Sequence, residues 1–127
     1  MKSPFTHETS ALYQQALELA KWCEGVLDRA PKNSASYAQL DQARTTVLLK
    51  VAAAAGSGTA GERAKAAELA QTAAVECAAC LDLMFNKRVV SRDELQRGKE
   101  TLQRVITLLA EAPDHTPQLE VQTGAAV

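Results

Sequence analysis

The stretch Ala66–Phe85, AAELAQTAAVECAACLDLMF, decides the fold of this chain. At about 100° per residue, its apolar side chains fall within one broad helical stripe. The stripe holds Ala66, Leu69, Ala70, Ala73, Cys77, Cys80 and Met84, with Leu81 at its edge. Most of these side chains are small and let neighbouring backbones approach closely. The stretch therefore predicts a buried helix around which three other helices are laid.

The composition of the whole chain favours helices. It has 127 residues, 46% of them hydrophobic and only 4% aromatic, which is enough apolar material for the core of one domain. Alanine, leucine and valine dominate, whereas a β-sandwich would be richer in β-branched and aromatic residues. We predict an all-α fold.

Charge and cysteine content narrow the class of protein. The net charge of -1 provides no global positive field for nucleic acid or anionic lipid. No apolar run reaches the roughly 18 residues of a membrane span, and the first residues lack the apolar region of a secretory signal. Three cysteines are an odd number and fit a reducing compartment. We expect a cytoplasmic protein with free thiols, no membrane partner, no cofactor and no metal.

Caps and helix breakers divide the chain into four helices. The predicted cap of the first helix is Thr9 or Ser10, and that of the second is Ser34 or Ser36. The third helix restarts near Glu62, after the break at Gly56–Gly61. The four predicted helices span about 10–30, 34–55, 62–85 and 91–112. The strongest start is the capping box formed by Ser91 and Glu94. Short connections predict an antiparallel up-down-up-down four-helix bundle over 9–112. A flexible lead (1–8) and a flexible tail (113–127) flank it.

The other three helices each show an inward apolar stripe. The stripes are Leu12, Ala16, Leu19, Cys23, Val26 and Ala30; Tyr37, Leu40, Ala43, Val47, Val51 and Ala54; and Leu95, Gly98, Leu102, Val105, Ile106 and Leu109. Gly98 invites a close helix crossing. Four apolar residues are surplus to these stripes: Tyr13, Leu17, Trp22 and Leu49. They require a second partner, which is either another helix of the chain or a neighbouring subunit.

Two short motifs match functional signatures without their structural context. Gly56-x-Gly58-x-x-Gly61 is a literal dinucleotide fingerprint, but it follows a predicted helix rather than a strand. We interpret it as an interhelical loop. Cys77-Ala-Ala-Cys80 lies in mid-helix on the core face, whereas redox motifs use a helix N-terminus. We interpret both cysteines as small core residues.

Glu76 is the one polar residue at the edge of the third helix's stripe. A carboxylate there is a candidate acid or base, or half of a metal pair. Two-metal bundles supply several Glu and Glu-x-x-His groups, and this chain shows no such set. Since a buried carboxylate seldom stays unpaired, we expect Glu76 to accept hydrogen bonds or an ion pair across a helix interface.

Five basic residues are candidates for contact with phosphates. Lys87, Arg88 and Arg92 cluster at the turn between helices three and four, and Arg97 and Arg104 share a face of helix four. Acidic neighbours lower the net positive charge of this group. A solvated surface and a nucleic-acid surface both remain open.

With the helices placed, the chain resembles the four-helix bundle family encoded in intervening sequences of bacterial 23S ribosomal RNA genes. The resemblance covers about 12–110. It rests on the segments Ala16–Ala20, Gln39–Ala43 continuing to Val51–Ala52, Ala70–Glu76 and Val90–Leu95. Glu76 matches the family's helix-three glutamate. Helix two departs from the family's pattern, because Lys50–Ala54 stands where the family has Asn-Ile-Ala-Glu-Gly.

The resemblance implies homopentameric rings without an agreed biochemical activity. A relative, the accessory variability protein of diversity-generating retroelements, works with a reverse transcriptase and nucleic acid through a basic surface. We therefore expect a non-enzymatic homo-oligomeric scaffold, with five subunits and the four surplus apolar residues at its interfaces. The alternative is an accessory protein that binds structured RNA through the five basic residues.

Overall fold

The computed structural model describes residues 5–111, which contain four α-helices and no strand. The helices are α1 (Ala11–Arg29), α2 (Ala35–Ala54), α3 (Ala60–Asn86) and α4 (Arg92–Glu111). The all-α prediction is confirmed. The predicted tail, 113–127, and residues 1–4 of the predicted lead lie outside the described residues.

Side-chain caps fix where the helices begin. Ser10 and Ser34 cap α1 and α2, each accepting a hydrogen bond from the backbone N–H three residues on. α3 begins earlier than the predicted restart near Glu62, because Thr59 and Glu62 form a capping box. The box predicted at the start of α4 is confirmed. Each reciprocal box satisfies backbone donors that a helix start otherwise leaves free.

The helices pack side by side, and each contacts two neighbours in the cyclic order α1, α2, α3, α4. α2 and α3 form the closest pair, since small side chains line their contact. Buried alanines on the two helices include Ala43, Ala54, Ala66 and Ala73. One contiguous apolar core joins all four helices.

The predicted inward stripes of α1, α2 and α4 lie in or against this core. The prediction for α3 is wrong in one respect: Leu69 is 39% exposed, whereas Leu81, expected at the edge, is fully buried. The buried face of α3 is thus rotated away from Leu69. Val75 and Leu83 lie on the outer face and are more than half exposed. α3 is therefore not enclosed by the other three helices.

The space left by the missing side chain of Gly98 is filled by side chains of other helices, and not by the backbone of a closely crossing helix. A Cβ atom built there would lie 2.8 Å from Cη2 of Trp22 and 2.8 Å from Cδ1 of Leu81. The indole of α1 thus occupies the space that Gly98 leaves on α4. Trp22 is partly buried and packs on the core of its own chain, so one of the two partners considered for it, another helix of the chain, is present.

A short 3₁₀ helix, Thr6–Thr9, forms the last part of the predicted lead and extends one residue beyond it. Its His7 ring meets the ring of Tyr13 edge to face, with centroids 4.7 Å apart. Tyr13 is partly buried and also packs against the core. The Tyr13 ring is therefore covered in part by residues of its own chain.

No helix among residues 5–111 is both long and apolar enough to cross a membrane.

Candidate nucleic-acid interface

The turn between α3 and α4 carries a basic residue in an unusual backbone conformation. Arg88 has a φ of 65°, in the left-handed region where glycine is the usual occupant of a helix C-terminus. Two hydrogen bonds hold this turn: Arg88 N–H donates to Phe85 O over 3.0 Å, and Val89 N–H to Met84 O over 2.8 Å. The pair is a Schellman motif, and it fixes the backbone position of Arg88.

The start of α4 is tied to the end of α1. Ser91 N–H donates to Oε1 of Glu94 over 2.8 Å, and Ser91 Oγ accepts from Glu94 N–H over 3.1 Å. Arg29 meets the same carboxylate with two nitrogens, at 3.2 and 2.9 Å. The Ser91 backbone hydrogen bond and the Arg29 guanidinium hold the pKa of Glu94 below its ordinary value.

These residues surround an open cleft of about 630 Å³. Its walls come from α1, the end of α3, the turn and the first turn of α4. They include Arg29, Phe85, Asn86, Arg88, Ser91 and Glu94. The cleft thus combines an aromatic ring, an amide, the Arg29–Glu94 ion pair and the Arg88 guanidinium. The ring and the polar groups suit a planar ligand, and Arg88 suits an anionic group on it.

Cations lie over aromatic rings at both turns of this end of the bundle. The Arg92 guanidinium carbon is 5.3 Å from the centroid of the Phe85 ring. In the turn between α1 and α2, the Lys32 ammonium is 5.2 Å from the centroid of the Tyr37 ring. Both distances are within the range of attractive cation–π contacts.

The five predicted basic residues lie at different places on the surface. Lys87, Arg88 and Arg92 are exposed at the turn, as predicted. Arg97 lies five residues beyond Arg92, about 140° around the helix, on a different side of α4. Arg104 donates to Oε1 of Gln15 over 3.1 Å and to Oγ1 of Thr101, and it joins α4 to α1. The five residues therefore do not form one patch.

Three contributors to this end were not among the residues predicted from the sequence. Arg29 and Lys32 lie at the turn between α1 and α2, and Phe85 lies in the last turn of α3. For the two cations, the signal available in the sequence was their position on either side of a predicted helix end. Only tertiary packing brings Arg29 to Glu94 and so joins the two turns.

Glu76 does not have the interhelical partner that was predicted. It is exposed, and it forms no hydrogen bond or ion pair with any other residue of 5–111. The reason is the rotation of α3, since Leu69, Glu76 and Leu83 repeat every seven residues along its outer face. Leu17 is partly exposed, and Leu49 is 61% exposed; their predicted place at a subunit interface stays a prediction.

The three cysteines are free and buried, as predicted. Desolvation raises the pKa of Cys23 to about 12, and it raises the pKa of Cys77 and of Cys80. A thiol held neutral is a poor nucleophile and a poor metal ligand. Residues 5–111 contain no group of three or more His, Cys, Asp or Glu side chains able to hold a metal ion.

Fold and site together define a helical-bundle protein with a cationic, aromatic-lined cleft at one end. No protein-family model, curated protein or solved structure gives a significant match to this chain.

Proposed function

We propose that this protein is a non-enzymatic, homo-oligomeric helical scaffold that assembles as a pentamer in the cytoplasm. The observation that carries the proposal is the apolar outer surface of α2 and α3. Leu49 on α2 and Leu83 on α3 are 61% and 53% exposed, and Leu69 on α3 is 39% exposed. Large aliphatic side chains exposed on neighbouring helices are typical of a surface that another protein covers.

The outer face of α3 also has the repeat of a helix–helix seam. Leu69 and Leu83 stand one heptad on either side of Glu76, as apolar residues do along a coiled-coil stripe. A single polar residue within such a stripe fixes the register of a pairing. The proposal gives Glu76 a cationic or hydrogen-bonding partner on the neighbouring copy.

Three finer points belong to the same proposal. The number five comes from the resemblance to the intervening-sequence family. An antiparallel up-down arrangement is supported by Arg29, near the end of α1, meeting Glu94, near the start of α4, while Arg104, near the end of α4, meets Gln15. The cytoplasm is supported by three free cysteines, since thiols stay reduced there.

Light scattering on the purified protein at micromolar concentration tests assembly. A mass five times the 13.6 kDa of one chain is expected, and a monomeric mass overturns the proposal. Leu83→Glu should lower the mass by charging the α3 stripe. Gln71→Glu is the matched control, because it adds the same charge to the same helix without removing an apolar side chain. Equal masses for both variants would contradict the role of the stripe.

A second candidate function is binding of structured RNA as an accessory protein. The cluster of Lys87, Arg88 and Arg92, extended by Arg29 at the cleft, favours it. Binding should weaken steeply with salt, because cations that contact phosphates release counterions. Absence of binding to a folded RNA at low salt removes this candidate.

A further inference from the structure

We infer that the cleft end of the bundle binds unpaired nucleotides of RNA rather than a regular duplex. The inference rests on the second proposed function and specifies its ligand. It starts from two ring–cation pairs, Arg92 over Phe85 and Lys32 over Tyr37, at turns that the Arg29–Glu94 ion pair joins.

Positive charge at this end of the bundle is limited. Five exposed cations occupy this end: Arg29, Lys32, Lys87, Arg88 and Arg92. Asp28, Asp93 and Glu94 lie among them, and Glu94 already occupies the Arg29 guanidinium. With Arg29 paired, four cations of one subunit remain for phosphates at this end. We therefore assign part of the binding energy at each cleft to contacts with bases.

Stacking on a planar side chain favours unpaired bases. A guanidinium group is planar, and bases stack on guanidinium planes as they do on aromatic rings. The exposed Arg92 guanidinium, whose carbon is 5.3 Å from the centroid of the Phe85 ring, supplies such a plane at this end of the bundle. Stacking contributes about 1–3 kcal/mol per base, and the faces of bases are accessible only where strands are unpaired.

The cleft has the volume and the polar lining for one base. At about 630 Å³, it is large enough for a base that turns out of its strand. Asn86, Ser91 and Glu94 line it with hydrogen-bonding groups for a base edge, and Arg88 at its rim is placed for the adjoining phosphate. Duplex bases present neither their faces nor their pairing edges to such a cleft.

The test uses fluorescence anisotropy with three RNA probes: an eight-nucleotide single strand, a hairpin with an eight-nucleotide loop, and a blunt duplex. The single strand and the hairpin should bind the full chain, and the duplex should bind at least tenfold more weakly. Equal affinity for the duplex overturns this inference but leaves RNA binding intact. Absence of binding to all three probes at low salt removes both.

Three variants locate the site. Arg88→Gly should weaken binding and lower the slope of log affinity against log salt by about 0.7, the value of one phosphate contact on a single strand. Glycine suits the backbone of this position, so loss of folding does not confuse the result. Arg92→Lys keeps the charge and loses the plane, and should weaken binding about fivefold with the slope unchanged.

Lys65→Ala is the control. Lys65 is exposed near the start of α3, about 33 Å along the helix from Lys87, and its loss removes one positive charge as Arg88→Gly does. Binding should not change. A loss equal to that of Arg88→Gly would show that only net charge matters and would overturn the assignment of the cleft.

Discussion

Replacement of Gly98 by alanine tests the packing of α1 against α4. In an open helix interior, this change stabilises by about 1 kcal/mol, because alanine loses less backbone entropy than glycine. Here the new Cβ would lie 2.8 Å from carbons of both Trp22 and Leu81, whereas carbons in contact are about 3.5–4.0 Å apart. Leu81 is fully buried and has little room to move.

Overpacking of this kind costs about 1–3 kcal/mol. It outweighs the gain in helix propensity, and we expect Gly98→Ala to destabilise the protein by about 1 kcal/mol, which lowers Tm by about 4 °C at this chain length. In a Trp22→Leu background the indole is absent and Leu81 has space to move. The same Gly98→Ala change should then stabilise by about 1 kcal/mol, which gives a coupling energy of about 2 kcal/mol.

Urea unfolding followed by circular dichroism measures both steps of this cycle, since it does not depend on the tryptophan that one variant removes. The midpoint and the slope are compared for the four proteins. If Gly98→Ala stabilises both backgrounds equally, the coupling is zero. Trp22 would then not restrict the space beside Gly98 in solution, which would contradict this packing.

Three further predictions concern the remaining polar and ionisable groups. The Arg44 guanidinium, 19% exposed, bridges Glu24 on α1 and a carboxylate on its own helix. Arg44→Met should therefore lower the free energy of unfolding, measured in urea, by about 2 kcal/mol. A decrease below about 0.5 kcal/mol would contradict this. The pKa of Glu94 is lowered in the folded state, so its ionised form stabilises above about pH 4.3, its unfolded value, and that stability is lost as pH falls through the folded pKa. Glu94→Gln should therefore flatten the acid side of Tm against pH, and parallel curves for variant and parent would refute it. Cys23 and Cys77, with raised pKa values, should resist iodoacetamide at pH 8 and react fully in urea, as mass spectrometry will show; modification of the native thiols would contradict their burial.

The sequence by itself determined the number, type and approximate ends of the helices. Each of these depends on local chemistry: Ser10, Ser34 and the Ser91–Glu94 box satisfy free backbone donors, and the apolar period of α1 and α4 identifies a buried face. α3 was harder to orient, because alanines surround much of its circumference. With so little difference in hydrophobicity between its faces, the pattern alone did not distinguish Leu69 from Leu81 as the core residue.

Tertiary structure decided everything that depends on which faces meet. The rotation of α3 buries Leu81 and places Glu76 between two exposed leucines. The absence of a side chain at Gly98 admits Trp22. Arg29, at the end of α1, is 65 residues from Glu94 in the chain, and it completes the cleft beside the turn between α3 and α4. These are contacts between distant segments, set by shape and volume in a shared core, and no local period of the sequence encodes them.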